Sequence, residues 1–374
     1  MTMTTIARTI TGGVDTHLDV HVAAALDERG ALLGVESFAT TAPGYRALLH
    51  WLEGFGTVEL VGVEGTGSYG AGLTRHLHRE DIRVVEVDRP NRQRRRRKGK
   101  SDPEDAVAAA RSAQGGDAQG AAKTRDGNVE AMRVLRVARS SARSSRTQAI
   151  NQMRSLVSTA PEELRAELRD LSIYQVLELA SAFRHTPRTD VTTVTKLTLR
   201  ITLARRALAL EEEVKEIDRL LKKLVAETAP ELNAINGVGT DVASALLVAA
   251  GDNPERLKNE ATFAKLCGVS PLDASSGKHV RHRLNRSGDR QANSALWHIV
   301  FTRMVCDPKT QHYIERRMKE GRTKKEAIRC LKRYVGREVF ARLPRQQFVL
   351  DTLMPSSEIR RRAASTSSTW NMAM

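Results

Sequence analysis

Cysteine is scarce in this 374-residue chain. The three present, Cys267, Cys306 and Cys330, are widely spaced and form no CxxC pair. That argues against a zinc site or a disulfide framework and predicts buried, reduced thiols. No apolar run approaches the roughly 20 residues that a bilayer-spanning helix needs. The opening MTMTTIARTITGG lacks the basic-then-apolar order of a secretory signal, so the expected location is cytoplasmic, with no membrane partner. Acid is in deficit: 44 Asp+Glu face 60 Lys+Arg, a formal net charge of +16. Such an excess favours a polyanionic partner, nucleic acid first. With 40% hydrophobic and 28% charged residues the composition is globular rather than disordered. The length accommodates two domains, or three.

Residues 9–17, 20–26 and 31–39 read as three strands, the last two joined by the polar turn Asp27–Glu28–Arg29–Gly30. Residues 43–55 read as a helix, with Tyr45, Leu48, Leu49 and Leu52 at helical spacing. A strand at 58–63, a helix at 69–79 and a strand at 83–87 complete the element order of an RNase H-like α/β fold. A helix over 101–112 follows, with Asp102 able to cap it and Pro103 suited to its first turn. Residues 115–120 read as a glycine-rich loop, and 129–157 as a helix studded with arginines. Leu203, Ala207, Leu210, Val214, Ile217, Leu221 and Leu224 then step alternately by four and three. That is a heptad seam, expected in a coiled-coil hairpin or dimer arm; an amphipathic helix packed on its own domain is the plainer alternative. After Pro230 a mainly helical region runs to about Leu343, with helices expected at 241–250, 259–267, 290–305, 310–319 and 324–341. The tail from Pro355 has no periodic apolar pattern and reads as disordered.

Three constellations could carry chemistry. Asp15 ends the first strand in GGVDTH, Glu64 ends the fourth in GVEGTGSYG, and Asp102 and Asp105 share a helix face in KSDPEDA. In an RNase H-like sheet the ends of the first and fourth strands are neighbours. Four converging carboxylates repel one another unless a divalent cation neutralises them, and oxygen ligands favour Mg²⁺ or Mn²⁺. Each carboxylate alone has an ordinary reading: a cap, a turn start, a solvated strand end. Gly12–Gly13 and 65–67 would allow a phosphate backbone to approach closely. Arg94, Arg95, Arg96, Arg97 and Lys98, in RQRRRRKGK, could hold phosphates beside that site, or form a solvated charged loop. The second constellation is Gly237–Val238–Gly239, resembling a helix-hairpin-helix turn whose N–H groups can hold a phosphate without reading sequence. The third is a Ser–Ser–Gly turn followed by Lys278, Arg281, Arg283 and Arg286. On its residues alone this is a phosphate-binding loop, since no base for a serine nucleophile is evident in it.

Taken together, GVDTH, VEGTGSY and KSDPEDA, then INGVGTDVASALLVAAGD, FAKLCGVSPLDASSGK and NRSGDRQANSALW, resemble the DEDD transposases of bacterial insertion sequences. This is the family numbered one-ten, bridge-RNA-guided recombinases related to Piv-like DNA invertases. The resemblance runs from about residue 10 to 340. It implies a RuvC-like catalytic domain (9–128), a basic helical and coiled-coil region (129–229) and a C-terminal transposase domain (230–343). It makes Asp15, Glu64, Asp102 and Asp105 metal ligands and places the nucleophile at Ser276, rather than Ser275, after the turn 268–271. It further implies a 5′-phosphoserine intermediate, donor and target DNA, a structured guide RNA, a homodimer assembling to a homotetramer, and a bacterial nucleoid location. The competing readings are a Holliday-junction-resolvase-like nuclease using carboxylates and water, and a non-catalytic nucleic-acid binder.

Overall fold

The computed structural model describes residues 8–87, 101–118, 120–184, 189–276, 282–286 and 288–344. The expected tail from Pro355 lies outside the described residues. Strands β1 (Thr9–Thr16), β2 (Val20–Leu26) and β3 (Leu32–Ala39) form the expected antiparallel meander. The Asp27 carboxylate builds its second turn by accepting from the amides of Arg29 and Ala31, and Gly30 takes a φ of 80° there. Helix α1 (Ala42–Glu53) leads to β4 (Thr57–Glu64), then α2 (Ala71–Arg79) and β5 (Arg83–Val87). The short β6 (Gly120–Ala121) closes a sheet ordered β3-β2-β1-β4-β5-β6. β4 is parallel to β1 and to β5. A mixed sheet of this order, followed by a mostly helical remainder, fits an RNase H-like domain of the DEDD type.

β1 and β2 are buried along nearly their whole length because both faces are covered. On one face Leu48 and Leu52 of α1 and Leu73 and Leu77 of α2 pack on Ile10, Val61 and Val63. On the other lies α3 (Asp102–Gln114), whose Ala106, Ala109, Ala110 and Ala113 are buried. Alanines there let the helix backbone approach the sheet, and they are also the best helix formers. The cap differs from expectation. Ser101, with extended backbone, is the N-cap, and Asp102 is the first helical residue. A carboxylate one position further in still benefits from the positive end of the helix, and Pro103 sits in the first turn as expected.

The long α4 (Asn128–Ser158) begins after Gly127, which has no side chain with which to cap it. Asp252 caps it instead, accepting from the amides of Val129 at 2.8 Å and Glu130 at 3.1 Å. A cluster of α5 (Glu162–Leu168), α6 (Ile173–Ala182) and α7 (Val191–Thr198) follows. A π-helical segment at Leu199–Ala204 continues into α8 (Arg205–Thr228). α8 runs antiparallel to α4, with Asn128 bonded to Thr228, Arg139 to Asp218 and Arg146 to Glu211. The seven seam residues are all buried or half-buried, so the seam faces helices of its own chain.

The C-terminal helices are α9 (Pro230–Asn233), α10 (Thr240–Ala250), α11 (Glu260–Leu266), α12 (Arg290–Cys306), α13 (Pro308–Lys319) and α14 (Lys324–Ala341). They share a core containing Leu246, Phe263, Leu296 and Ile299, which Val129 and Met132 of α4 also enter. A two-stranded ribbon, β7 (Leu272–Asp273) and β8 (His282–Arg283), interrupts them. All three cysteines are free thiols. Cys267 is buried, which pushes its thiol up to about 12, but Cys306, at the end of α12, is exposed. The expectation of burial fails there, because α12 turns Trp297, Phe301 and Val305 outward as well. Among the described residues no helix is long and apolar enough to cross a membrane.

Candidate active site

Parallel strand pairing builds the acidic site. Val14 lies opposite Val63, so Asp15 and Glu64 come next on adjacent strands. Two glycines define the face they take. A Cβ on Gly13 would lie 2.1 Å from the Ala110 nitrogen, and one on Gly62 2.8 Å from the Ala109 oxygen, so both positions point at α3. Residues two apart on a strand share a face. Asp15 and Glu64 are therefore on the α3 side, where the first turn of that helix carries Asp102 and Asp105. Thr16 Oγ1 ties the two strand ends together by donating to the Glu64 carbonyl at 2.8 Å. Asp15 and Asp105 are buried, and Asp102 and Glu64 half-buried.

His17 joins this group, and sequence reasoning had not singled it out. Its Nε2 lies 3.1 Å from Asp15 Oδ2 and 3.4 Å from Asp102 Oδ1. One ligand-type atom from each of Asp15, His17 and Asp102 lies within 4.8 Å of the others. The carboxylate oxygens of Glu64 and Asp105 are not in that set. The DTH tripeptide held the signal, since a histidine two residues past a strand-end aspartate stays beside it. Burial pushes the Asp15 carboxyl above its ordinary value; His17 opposes that, and Asp105 and Asp102 reinforce it. Crowded, partly desolvated acids of this kind gain most from a cation. Two carboxylate oxygens and one imidazole nitrogen, with two more acids nearby, fit a divalent cation.

Gly12 and Gly13 serve packing. Gly13 and Gly62 admit α3, and a Cβ on Gly12 would meet Leu52 and Val61 of the opposite core. Gly67 makes room for Arg125, whose Nη2 would be 2.9 Å from a Cβ there. Arg94, Arg95, Arg96, Arg97 and Lys98 lie outside the described residues, as do Lys278 and Arg281.

Ser276 is rooted in the other core. Cys267 is buried within the C-terminal helices and Val269 packs against them. Asn293 Nδ2 donates to the carbonyls of Cys267 at 2.8 Å and Gly268 at 3.2 Å, and Lys332 Nζ donates to Asn293 Oδ1 at 2.8 Å. Gly288 crosses so close that a Cβ would lie 2.1 Å from the Gly268 nitrogen. Beyond this root, residues 271–276 are exposed, as are Arg283 and Arg286. A carboxylate does lie in the loop, contrary to the sequence reading. Asp273 Oδ1 accepts from both the amide and the hydroxyl of Ser275. Those bonds hold the Asp273 carboxyl below its usual range, which makes it a turn former and a weak base.

At the second constellation Gly237 takes a φ of 84° against the Ile299 carbonyl, and Gly239 is the N-cap of α10 with open space around it. The first turn of α10 carries Asp241, which pairs with Arg136 at 2.8 Å and Arg139 at 3.1 Å.

Comparison with known proteins covers both regions. Residues 12–161 match a DEDD-type family model of IS110, described as Transposase. Residues 229–315 match the model described as Transposase IS116/IS110/IS902 family. The Insertion element IS110 uncharacterized 43.6 kDa protein of Streptomyces coelicolor is 29% identical over 144 residues. That match takes in 38% of this chain and 35% of the relative, well short of the relative's full length.

Proposed function

The chain belongs to the IS110 family of transposases, and on that premise we propose that it cuts and rejoins DNA through a serine ester, guided by RNA. The observation that carries the reading is the convergence of Asp15 and Asp102, from stretches far apart in sequence, around His17 with Asp105 close by. Asp15, Glu64, Asp102 and Asp105 would hold Mg²⁺ or Mn²⁺, with His17 beside them. When bound, such an ion stabilises charge on the attacking and leaving oxygens of a phosphoryl displacement. Ser276 Oγ attacks the DNA phosphorus; the Oγ–P bond forms and the P–O3′ bond breaks. The serine proton is lost and the departing O3′ takes one up, leaving a 5′-phosphoserine link and a free 3′-OH. Attack by another 3′-OH reverses these steps and joins strands without an energy-rich cofactor.

The serine and the carboxylates stand on separate cores, so this chemistry requires those regions to meet within one chain or between subunits. In this reading residues 9–128 are the RuvC-like catalytic domain, 129–229 the basic coiled-coil region and 230–343 the transposase domain. The α4–α8 pair builds a homodimer and then a homotetramer. Gly237 and Gly239, in a helix-hairpin-helix-like turn, face nucleic-acid phosphates, as do Arg283, Arg286 and the cationic segments outside the described residues. The net charge of +16 suits two nucleic acids, DNA and a structured bridge RNA.

Covalent trapping tests it. Wild type with Mg²⁺, its element's DNA and its RNA yields a denaturation-resistant protein–DNA adduct. Ser276→Ala yields none, and Asp105→Asn yields none while retaining DNA binding. An adduct with Ser276→Ala removes that nucleophile. Normal cleavage by Ser276→Ala favours a metal-dependent nuclease, and binding without cleavage by any preparation leaves a non-catalytic binder.

A further inference from the structure

A groove of about 570 Å³ runs between α2 and the start of α4, apart from the carboxylates and the serine loop. One wall carries Arg75, His76 and Arg79; the other carries Arg125 and Glu130. Its position links it to the acidic site. The loop 65–70 leads from Glu64, on the α3 side of the sheet, to α2 on the opposite side. Arg125 fills the space left by the missing side chain of Gly67 in that loop. Through Arg125 the groove thus comes beside the loop that leaves Glu64.

Its lining holds three arginines against two acids. Arg133 holds Glu130 with its Nε 2.9 Å from both carboxylate oxygens, and Arg125 is 3.7 Å from the same group. Asp126 is the other acid in the lining, and its charge acts on His78. Among the described residues neither Arg75 nor Arg79 has a carboxylate within 4 Å, although the charge of Arg75 acts on Glu130. Arg125 adopts a φ of 55°, unusual for a residue with a side chain, and its Nε is buried with no hydrogen-bond partner. A bound anion would give that nitrogen the acceptor it lacks.

We propose that this groove carries the phosphate backbone of the DNA strand that enters the carboxylate site. Arg75 and Arg79 are its phosphate contacts, and Arg125 stands at the junction with the 65–70 loop. The proposal rests on the transposase reading above. Phosphate contacts are sequence-independent, and each one lost lowers the slope of log K against log salt by about 0.9.

The test uses the full chain, a labelled random-sequence 30-base-pair DNA duplex, and EDTA, so that binding does not depend on a metal. Arg75→Ala/Arg79→Ala is compared with Arg29→Ala/Arg111→Ala, whose exposed arginines lie away from the groove, at the end of α3 that meets the β2–β3 turn. The expected result is a salt slope smaller by about 2 in the groove variant and unchanged in the control. Arg79→Glu, at an exposed position, gives a larger loss than Arg79→Ala and guards against misfolding of the double variant. A groove variant with the control's slope overturns the proposal while leaving the transposase reading intact. A wild type with no salt-dependent DNA binding overturns both. A slope change seen with an RNA hairpin and not with DNA overturns the assignment to a DNA strand.

Discussion

The acidic site and the serine loop are held in place by opposite means. Asp15 and Glu64 sit at the ends of paired strands, and Asp102 and Asp105 on a helix pressed to within backbone contact of those strands. Moving any of them requires moving a sheet or a helix. Ser276 follows a loop anchored at its root, where Asn293 and the Gly268–Gly288 crossing close it, and residues 271–276 are exposed. The difference is instructive for two-part chemistry. Ligands that must hold an ion against mutual repulsion need fixed geometry. In the proposed reading the nucleophile must instead reach a substrate, which an exposed position on a firm base allows.

The largest effect is expected where the sheet is least able to yield. Gly13→Ala places a Cβ 2.1 Å from the backbone of α3, so the helix must lift from the sheet. A loss of about 3 kcal/mol or more in urea unfolding is expected. Gly288→Ala makes an equally close contact at the root of the serine loop, where short, irregular backbone can shift, and should cost less. If the two losses are equal, the contrast between a rigid site and a yielding loop is wrong.

A slightly smaller effect concerns the interior of the same sheet. His21 is fully buried with its ring stacked on Tyr45 at 5.7 Å, and burial lowers its pKa from 6.5 to about 4. The folded protein therefore binds fewer protons here than the unfolded chain between those values. The stabilisation is complete above pH 6.5 and is lost as pH falls towards 4. The difference corresponds to about 3 kcal/mol. His21→Phe lacks this component, so its stability relative to wild type should rise by about that amount between pH 7.5 and 4.5. A gap that stays constant with pH would show that His21 does not titrate as a buried neutral ring.

Much of this arrangement was legible in the sequence, and the losses have a common cause. Strand alternation and helical spacing are local, so β1 to β5, Asp15, Glu64 and the Asp102–Asp105 pair could be read directly. The purpose of Gly13 could not, because the backbone it accommodates lies almost a hundred residues later. Ser101 and Asp102 are both competent caps, and local sequence does not choose between them. The seam on α8 announced a helical partner but not its identity; the pairs Arg139–Asp218 and Arg146–Glu211 make that partner α4. His17 and Arg125 were missed for a related reason. Each gains its meaning from a neighbour on another element, Asp102 for one and Gly67 for the other.

The smallest expected effect decides most about the loop. Ser275 and Ser276 are adjacent and both exposed, and spacing alone cannot separate them. Their surroundings differ. The Ser275 hydroxyl donates to Asp273, and its amide donates to the same oxygen at 2.8 Å, so the turn engages both groups. Ser275→Ala removes the hydroxyl bond to Asp273 and keeps the amide bond that shapes the turn. Adduct formation should then fall by no more than about fivefold, since the loop keeps its form and Ser276 its oxygen. Loss of the adduct in Ser275→Ala, together with its survival in Ser276→Ala, would reverse the assignment. Asp273 would then be the partner of the reacting hydroxyl rather than a turn former. Its depressed pKa argues for the turn, because a carboxylate already satisfied by two donors has little affinity left for a serine proton.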